Sequence, residues 1–197
     1  MPTILYHTSV VITGAWNPFI ITPPWLRKVG VVAEDPGKAK RLLAEGPFAF
    51  EFEHLRWAPF WDKLGIASAE GANCGICAAN ILELLPHTPI QAIGANFLFK
   101  TPMEEWPAGN LPKLGHLGLG STSPMAFKQV RWDGTADLDS ETVLNFSLAQ
   151  TEDNIICSFN FHRNSEDANE AARFARRWDE DCGKARGLLK DLFGISG

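Results

Sequence analysis

The most regular pattern in this chain is an apolar stripe near its C-terminal end, with steps of three and four residues. Such spacing is typical of a helix that packs one face on a protein core. The stripe is formed by Ala168, Ala171, Ala172, Ala175, Trp178, Cys182, Ala185, Leu189 and Leu192, and the opposite face by Glu170, Arg173, Arg177, Glu180, Asp181, Lys184 and Lys190. The pattern predicts one long helix over about 165–193. Gly183 and Gly187 interrupt it, and we expect a kink there or close packing of another backbone.

A second helix is predicted over about 73–85. One face of this segment is mostly apolar, Asn73 can accept bonds from the first-turn amides, and Pro86 ends the pattern. A shorter and weaker helical pattern covers 35–45. Two helices therefore dominate the predicted helical content.

Runs of alternating or β-branched residues predict the strands. They lie at 9–13, 48–52, 60–68, 90–100, 125–132, 142–150 and 155–163. Apolar residues on both faces of 90–100 indicate a central place in the sheet. The stretch 101–123 is rich in glycine and proline, which predicts a loop.

These elements predict an α+β fold, because strands and helices do not alternate in steady βαβ units. We expect a mainly antiparallel, twisted sheet of about six to seven strands, with the two main helices packed on it. The length of 197 residues fits a single domain spanning 1–197.

Aromatic residues are unevenly used, with thirteen Phe and seven Trp against a single Tyr. Seven Trp exceed what a core of this size usually needs, and exposed Trp is typical of partner surfaces. We therefore expect a partner-binding surface formed by Trp16, Trp25 and Trp106.

The net charge of −5 and the absence of a run of basic residues argue against nucleic-acid binding, which depends on clustered cations.

No apolar run reaches the roughly 20 residues of a membrane span, and no signal-peptide pattern opens the chain. Four cysteines do not make a disulfide framework, so we expect a cytoplasmic protein. The glycines between 115 and 120 do not match a phosphate loop, and no cofactor is predicted.

Cys74 and Cys77 are separated by two residues at the start of the predicted helix, where the helix dipole can lower a thiol pKa. The four residues Cys-Gly-Ile-Cys resemble the redox motif of the thioredoxin family, which implies thiol–disulfide exchange. The chain departs from that family in having Asn73 before the first cysteine. A zinc site would need two further ligands at close spacing, and none is apparent, so no metal is predicted. The remaining interpretation is that both thiols are small, partly buried side chains.

Three polar residues are further candidates for acid–base chemistry. His87 lies between the predicted helix and strand 90–100, and it either acts as a base or caps the helix. His54 follows Glu53, whose carboxylate either assists catalysis or belongs to a solvated strand face. No sequence neighbour supplies His87 with a carboxylate.

One longer segment resembles small bacterial α+β proteins to which no activity is assigned. In those proteins a helix ending in Leu-Pro-His-Thr-Pro leads into a strand ending in Gly-x-Asn-Phe, as residues 81–97 do here, and a terminal helix follows a β-hairpin. The resemblance implies the order of elements and carries over no catalytic residue.

The leading functional hypothesis is a non-catalytic interaction or assembly protein, working as a homo-oligomer or as an accessory subunit of a bacterial complex. The alternative is an enzyme or small-ligand-binding protein, with its site near His87 and His54 or at the Cys74 and Cys77 pair. Whether the chain is an enzyme stays open at this point.

Overall fold

In the computed structural model, which describes residues 4–106, 130–151 and 153–194, the strands form one antiparallel sheet. The strands are β1 (Ile4–Gly14), β2 (Lys40–Arg41), β3 (Phe50–Phe52), β4 (Leu55–Pro59), β5 (Lys63–Ser68), β6 (Ile90–Pro102), β7 (Val130–Asp137), β8 (Val143–Gln150) and β9 (Asn154–Asn164). Their order is β2-β3-β4-β5-β1-β6-β9-β8-β7. The helices are α1 (Pro23–Lys28), α2 (Cys74–Leu84), α3 (Ala168–Arg176) and α4 (Trp178–Phe193). The protein is an antiparallel α+β protein.

The predicted count of six to seven strands and two main helices was wrong, because the described residues form nine strands and four helices. The strand predicted over 48–52 is confirmed as β3, and the missed elements are short: β2 has 2 residues, β4 has 5 and α1 has 6. Elements this short show no measurable periodicity. The weak helix over 35–45 is instead β2 flanked by the 3-10 turns Pro36–Lys38 and Leu43–Glu45.

Strand β4 was missed because of an unusual turn. Glu53 and His54 connect β3 to β4, with φ angles of 55° and 61°. Positive φ at both central positions matches a two-residue hairpin turn, which normally uses Asn and Gly. Because neither residue is a usual turn former, the sequence carries no signal for the hairpin.

Helices α2, α3 and α4 pack on one face of the sheet. The side chains of that face are buried, among them Val10, Ile12, Phe97, Phe159 and Phe161. Trp178 lies on Phe97, with ring centroids 4.6 Å apart. Burying one such side chain contributes about 1.5–3 kcal/mol, so this layer is the main source of stability.

The C-terminal helix breaks at Arg177, which separates α3 from α4, and not at the glycines. A Cβ at Gly183 or Gly187 would meet no atom of the described residues within 4 Å, so neither glycine serves close packing against them. Two further assignments were wrong: Asp181 is fully buried, and Leu192 is 53% exposed. Because the helix breaks at Arg177, the side of α4 that faces the core differs from the side that one straight helix would bury.

Helix α2 confirms the predicted segment 73–85 and its N-cap. The Asn73 Oδ1 atom accepts bonds from the amides of Gly75 (2.9 Å) and Ile76 (3.3 Å). A Cβ at Gly75 would collide with the Ala175 carbonyl oxygen and lie 2.6 Å from the Trp178 Cβ. This glycine therefore allows α2 to approach α3 and α4 closely.

Part of the predicted loop and of one predicted strand lies outside the described residues. These parts are 107–123 of the glycine- and proline-rich stretch and 125–129 of the strand predicted over 125–132. The described remainder of that strand is the start of β7.

Candidate functional site

Three aromatic side chains, Phe19, Phe48 and Trp61, form a cluster on the surface at one end of the sheet. The ring centroid of Phe19 lies 5.0 Å from that of Phe48 and 5.9 Å from that of Trp61, both edge-on. Phe19 is 66% exposed and Trp61 is 61% exposed. Such contacts stabilise the cluster by about 0.5–1.5 kcal/mol each, yet much of the ring area stays in water. We call these three residues the aromatic patch.

Backbone hydrogen bonds place the aromatic patch. The Gly14 amide donates to the Asp62 carbonyl (3.0 Å), and the Trp16 amide donates to the Trp61 carbonyl (3.0 Å). A side chain at position 14 would collide with the Pro89 carbonyl oxygen, so glycine is needed at this crossing. The chain after β1 therefore runs beside the β4–β5 turn, where the aromatic patch forms.

A pocket of about 440 Å³ opens beside the aromatic patch, and Phe48 belongs to both. Phe50 also lines it, is buried, and stacks on Trp57 with their ring planes 13° apart. The cations Lys40 and Arg41 line the pocket as well. Five prolines contribute to its walls: Pro18, Pro23, Pro24, Pro36 and Pro47. We call this site the proline pocket.

The tryptophans that the sequence marked as a partner surface lie mostly inside the protein. Trp16 is 3% exposed, and its Nε1 donates to the Ile12 carbonyl (3.1 Å). Trp106 is 7% exposed and packs on Phe193, while Trp25 is partly buried against the core. In the described part of the chain, the large aromatic side chains that are most exposed are Phe19 and Trp61 of the patch, which the sequence pattern did not distinguish from core residues.

Cys74 and Cys77 are free thiols whose surroundings disfavour the thiolate. Burial raises the pKa of the Cys74 thiol to about 12. Burial, and then the negative charge of Glu53, raise the pKa of Cys77 to about 11. The Cys74 Sγ lies 3.7 Å from the Thr8 Oγ1, a contact that ties α2 to β1. The helix dipole does not overcome desolvation here.

The carboxylate of Glu53 is used to hold a neighbouring loop, and the His54 side chain is exposed. The Glu53 carboxylate accepts hydrogen bonds from the amides of Ala33 (2.8 Å) and Glu34 (3.2 Å). His54 is exposed on the same turn. Within the described residues, no hydrogen bond joins the two side chains, so the turn offers no acid–base pair.

His87 is exposed and lines a shallow pocket of about 360 Å³ together with Trp16 and Asn17. Among the described residues that line this pocket there is no carboxylate. A catalytic base needs a group within hydrogen-bond reach that orients it. The structure therefore does not bring His87 together with Glu53 or the cysteines.

An interior ion pair was missed by the sequence pattern. Arg163 on β9 donates two hydrogen bonds to Asp181 on α4, each 2.7 Å long, and its Nε donates to Thr142 (2.9 Å). Both partners are almost fully buried. Position 163 falls on the buried face of β9, and an arginine there is the signal that could have indicated a buried partner.

A wide cleft of about 1000 Å³ lies next to this ion pair and carries several acidic residues. Glu141 accepts a hydrogen bond from Arg173 (2.9 Å), and that bond lowers the pKa of Glu141. Asp139 forms an ion pair with Arg177 (3.6 Å). The acids of this cleft are thus partly neutralised by arginines of α3 and its C-cap.

The sheet face opposite the helices carries a row of linked polar side chains, which we call the amide ladder. The Thr135 hydroxyl donates to Asn145 (3.1 Å), which donates to Asn160 (3.1 Å). Asn160 donates to Asn96 (2.8 Å), and Asn96 donates to the Ser9 carbonyl (3.4 Å). The register aligns these five residues across β7, β8, β9, β6 and β1.

Comparison with protein families and with curated proteins found no match for this chain. The helices in the described ranges are too short or too polar to cross a membrane. Nor do those ranges contain three His, Cys, Asp or Glu residues grouped so that they could hold a metal ion. The fold is that of an antiparallel α+β protein, and the aromatic patch with the proline pocket is the surface feature most suited to binding.

Proposed function

We propose that this chain is a non-catalytic interaction or assembly protein, acting as a homo-oligomer or as an accessory subunit of a bacterial complex. The aromatic patch carries this proposal. Two of its three rings are more than half exposed, and the three are contiguous. Clustered exposed aromatic rings are typical of the few residues that dominate binding energy at protein interfaces.

The chemistry of the patch suits burial against another protein. Apolar area removed from water contributes about 25 cal/mol per Å², so covering two large rings supplies a substantial share of a binding free energy. Phe19 and Trp61 already contact each other edge to face, which limits the side-chain entropy that binding would remove. An enzyme site has less support, because His87, His54 and the cysteines lack catalytic partners among the described residues.

Self-association is the direct test. Sedimentation velocity should show wild type associating at micromolar concentration, and the double variant Phe19→Ser, Trp61→Ser shifting to monomer. The matched control is Ile76→Ser, Leu192→Ser, which also removes two exposed apolar side chains but leaves the patch intact. We expect the control to sediment like wild type.

A heteromeric role is tested in the same design. If wild type is monomeric, it should retain a defined partner from a bacterial lysate that the double patch variant loses and the control keeps. A monomeric wild type that retains nothing in a patch-dependent manner would contradict the proposal.

A further inference from the structure

We infer that the proline pocket is a binding site for a small amphipathic carboxylate, with Arg41 as the group that recognises the carboxylate. This inference goes beyond the proposed assembly role and does not depend on it. It rests on the shape of the pocket, the chemistry of its walls and the one cation that lines it without an ion pair among the described residues.

The size and the walls of the pocket suit a small apolar ligand body. Its volume of about 440 Å³ lies in the range of roughly 300–1,000 Å³ that holds small molecules. Its five proline rings carry no backbone N–H donor and have fixed φ angles. The walls are therefore apolar and preformed, so binding orders little of the protein.

The buried side of the pocket is also apolar. Phe50, Ile21 and Ala49 line it and are each at most 5% exposed. Phe50 cannot turn away easily, because its ring is stacked on the fully buried Trp57. A ligand chain that enters the pocket thus meets fixed apolar surface.

The electrostatics of the pocket select an anion. Arg41 pairs with Phe50 in the β2–β3 register, so both lie at the same position across the strands. Lys40 lies 4.0 Å from Glu51, whereas Arg41 makes no ion pair with any described residue. Among the described residues, those that line the pocket include no acid. A guanidinium can bind a carboxylate through two parallel hydrogen bonds, which an ammonium cannot do.

Octanoate and octylammonium provide matched probes, because they share one apolar chain and carry opposite charges. Isothermal titration calorimetry should show saturable binding of octanoate to one site, and at least about tenfold weaker binding of octylammonium. Equal affinity of the two probes, or no saturable octanoate binding, would overturn the inference.

Substitutions that change the proline pocket test whether octanoate binds there. Arg41→Gln should weaken octanoate binding about tenfold, as expected for losing a charge-assisted bidentate contact. Arg27→Gln, which removes an exposed arginine that does not line the pocket, should leave it unchanged. Ala39→Trp should abolish binding by filling the pocket, with circular dichroism to show that it folds. Octanoate binding that survives both Arg41→Gln and a folded Ala39→Trp would place the ligand elsewhere and refute the site.

The readouts of the two proposals are separate. Octanoate affinity reports on the pocket, and sedimentation reports on the aromatic patch. Arg41→Gln should leave the sedimentation behaviour unchanged, because Arg41 is not part of the patch.

Discussion

Arg163 and Asp181 form a two-bond ion pair inside the protein, with both N–O distances at 2.7 Å. The arginine belongs to the sheet and the aspartate to the last helix, and their side chains are 1% and 0% exposed. Thr142 accepts the remaining Nε hydrogen bond. The pair therefore fixes α4 to β9 at a defined position, which apolar packing alone would specify less sharply.

Breaking this pair should be strongly destabilising. Asp181→Asn leaves the guanidinium buried without its counter-charge, and we expect a loss of about 3–5 kcal/mol in the free energy of unfolding. Urea denaturation followed by circular dichroism measures it. The exposed Arg173→Gln should cause a much smaller change, because its partner Glu141 lies on the surface. If Asp181→Asn were as mild as that control, the pair would not be holding α4.

An apolar replacement of both partners should recover most of that loss. The double variant Arg163→Met, Asp181→Leu removes two buried charges together, and such replacements are often neutral or stabilising. The same urea measurement applies. If the double variant were less stable than Asp181→Asn alone, the attraction between the two charges would exceed the free-energy cost of removing them from water.

Two helical glycines should respond in opposite directions to alanine. At Gly75 a Cβ would collide with the Ala175 carbonyl, and the helices would have to separate, at a cost of about 1–3 kcal/mol. At Gly183 a Cβ would touch none of the described residues, so alanine should stabilise α4 by about 0.5–1 kcal/mol. Thermal unfolding of the two variants would show whether each substitution raises or lowers the stability of the protein. Equal effects would contradict the close approach of α2 to α3.

The thiols of Cys74 and Cys77 should react slowly with iodoacetamide, because their pKa values lie near 12 and 11. The rate at each cysteine, followed by peptide mass spectrometry against pH, should still be rising above about pH 9. Glu53→Gln removes the negative charge that raises the Cys77 pKa, so it should lower that pKa and leave Cys74 almost unaffected. A thiol that titrates near its ordinary value of about 8.5 would instead support the redox hypothesis.

The raised pKa of Cys74 should also make the protein less stable at alkaline pH. Below about pH 8.5 the thiol is protonated in both states, and the contribution of its burial is fully present. Above that pH the unfolded thiol ionises while the folded Cys74 keeps its proton until about pH 12, so unfolding becomes progressively more favourable. The free energy of unfolding at about pH 8 and about pH 10.5 should differ more for wild type than for Cys74→Ala. Identical differences would mean that the folded thiol also ionises in this range.

The amide ladder should stabilise the sheet modestly. Asn160 donates to Asn96 and accepts from Asn145, so Asn160→Ala removes two hydrogen bonds, each with a net contribution of about 1 kcal/mol. Ser158→Ala, on the same strand and face but outside the ladder, is the matched control. Urea unfolding should show a loss of about 1–2 kcal/mol for the first and little for the second. Equal losses would show that the ladder adds nothing beyond local packing.

Long elements were predictable because their patterns are local. Helix α2 begins where Asn73 supplies the side-chain acceptor and ends before Pro86, so its bounds follow from capping and from the missing proline donor. The alternation over 142–150 and 155–163 similarly predicted the strands β8 and β9. The elements that were missed, β2, β4 and α1, are too short to show a clear periodicity.

The sequence by itself determined the α+β class, the long strands and the segment that forms α2, since side-chain periodicity and helix caps act within a few residues. Only the tertiary structure decided which aromatic rings are exposed, because Trp16 and Phe19 are three residues apart and equally apolar, yet one is buried and the other is not. It also decided that Asp181 is buried and that burial raises the pKa of the Cys74 and Cys77 thiols. The buried charge of Asp181 and the charge near Cys77 depend on residues distant in the chain, namely Arg163 and Glu53.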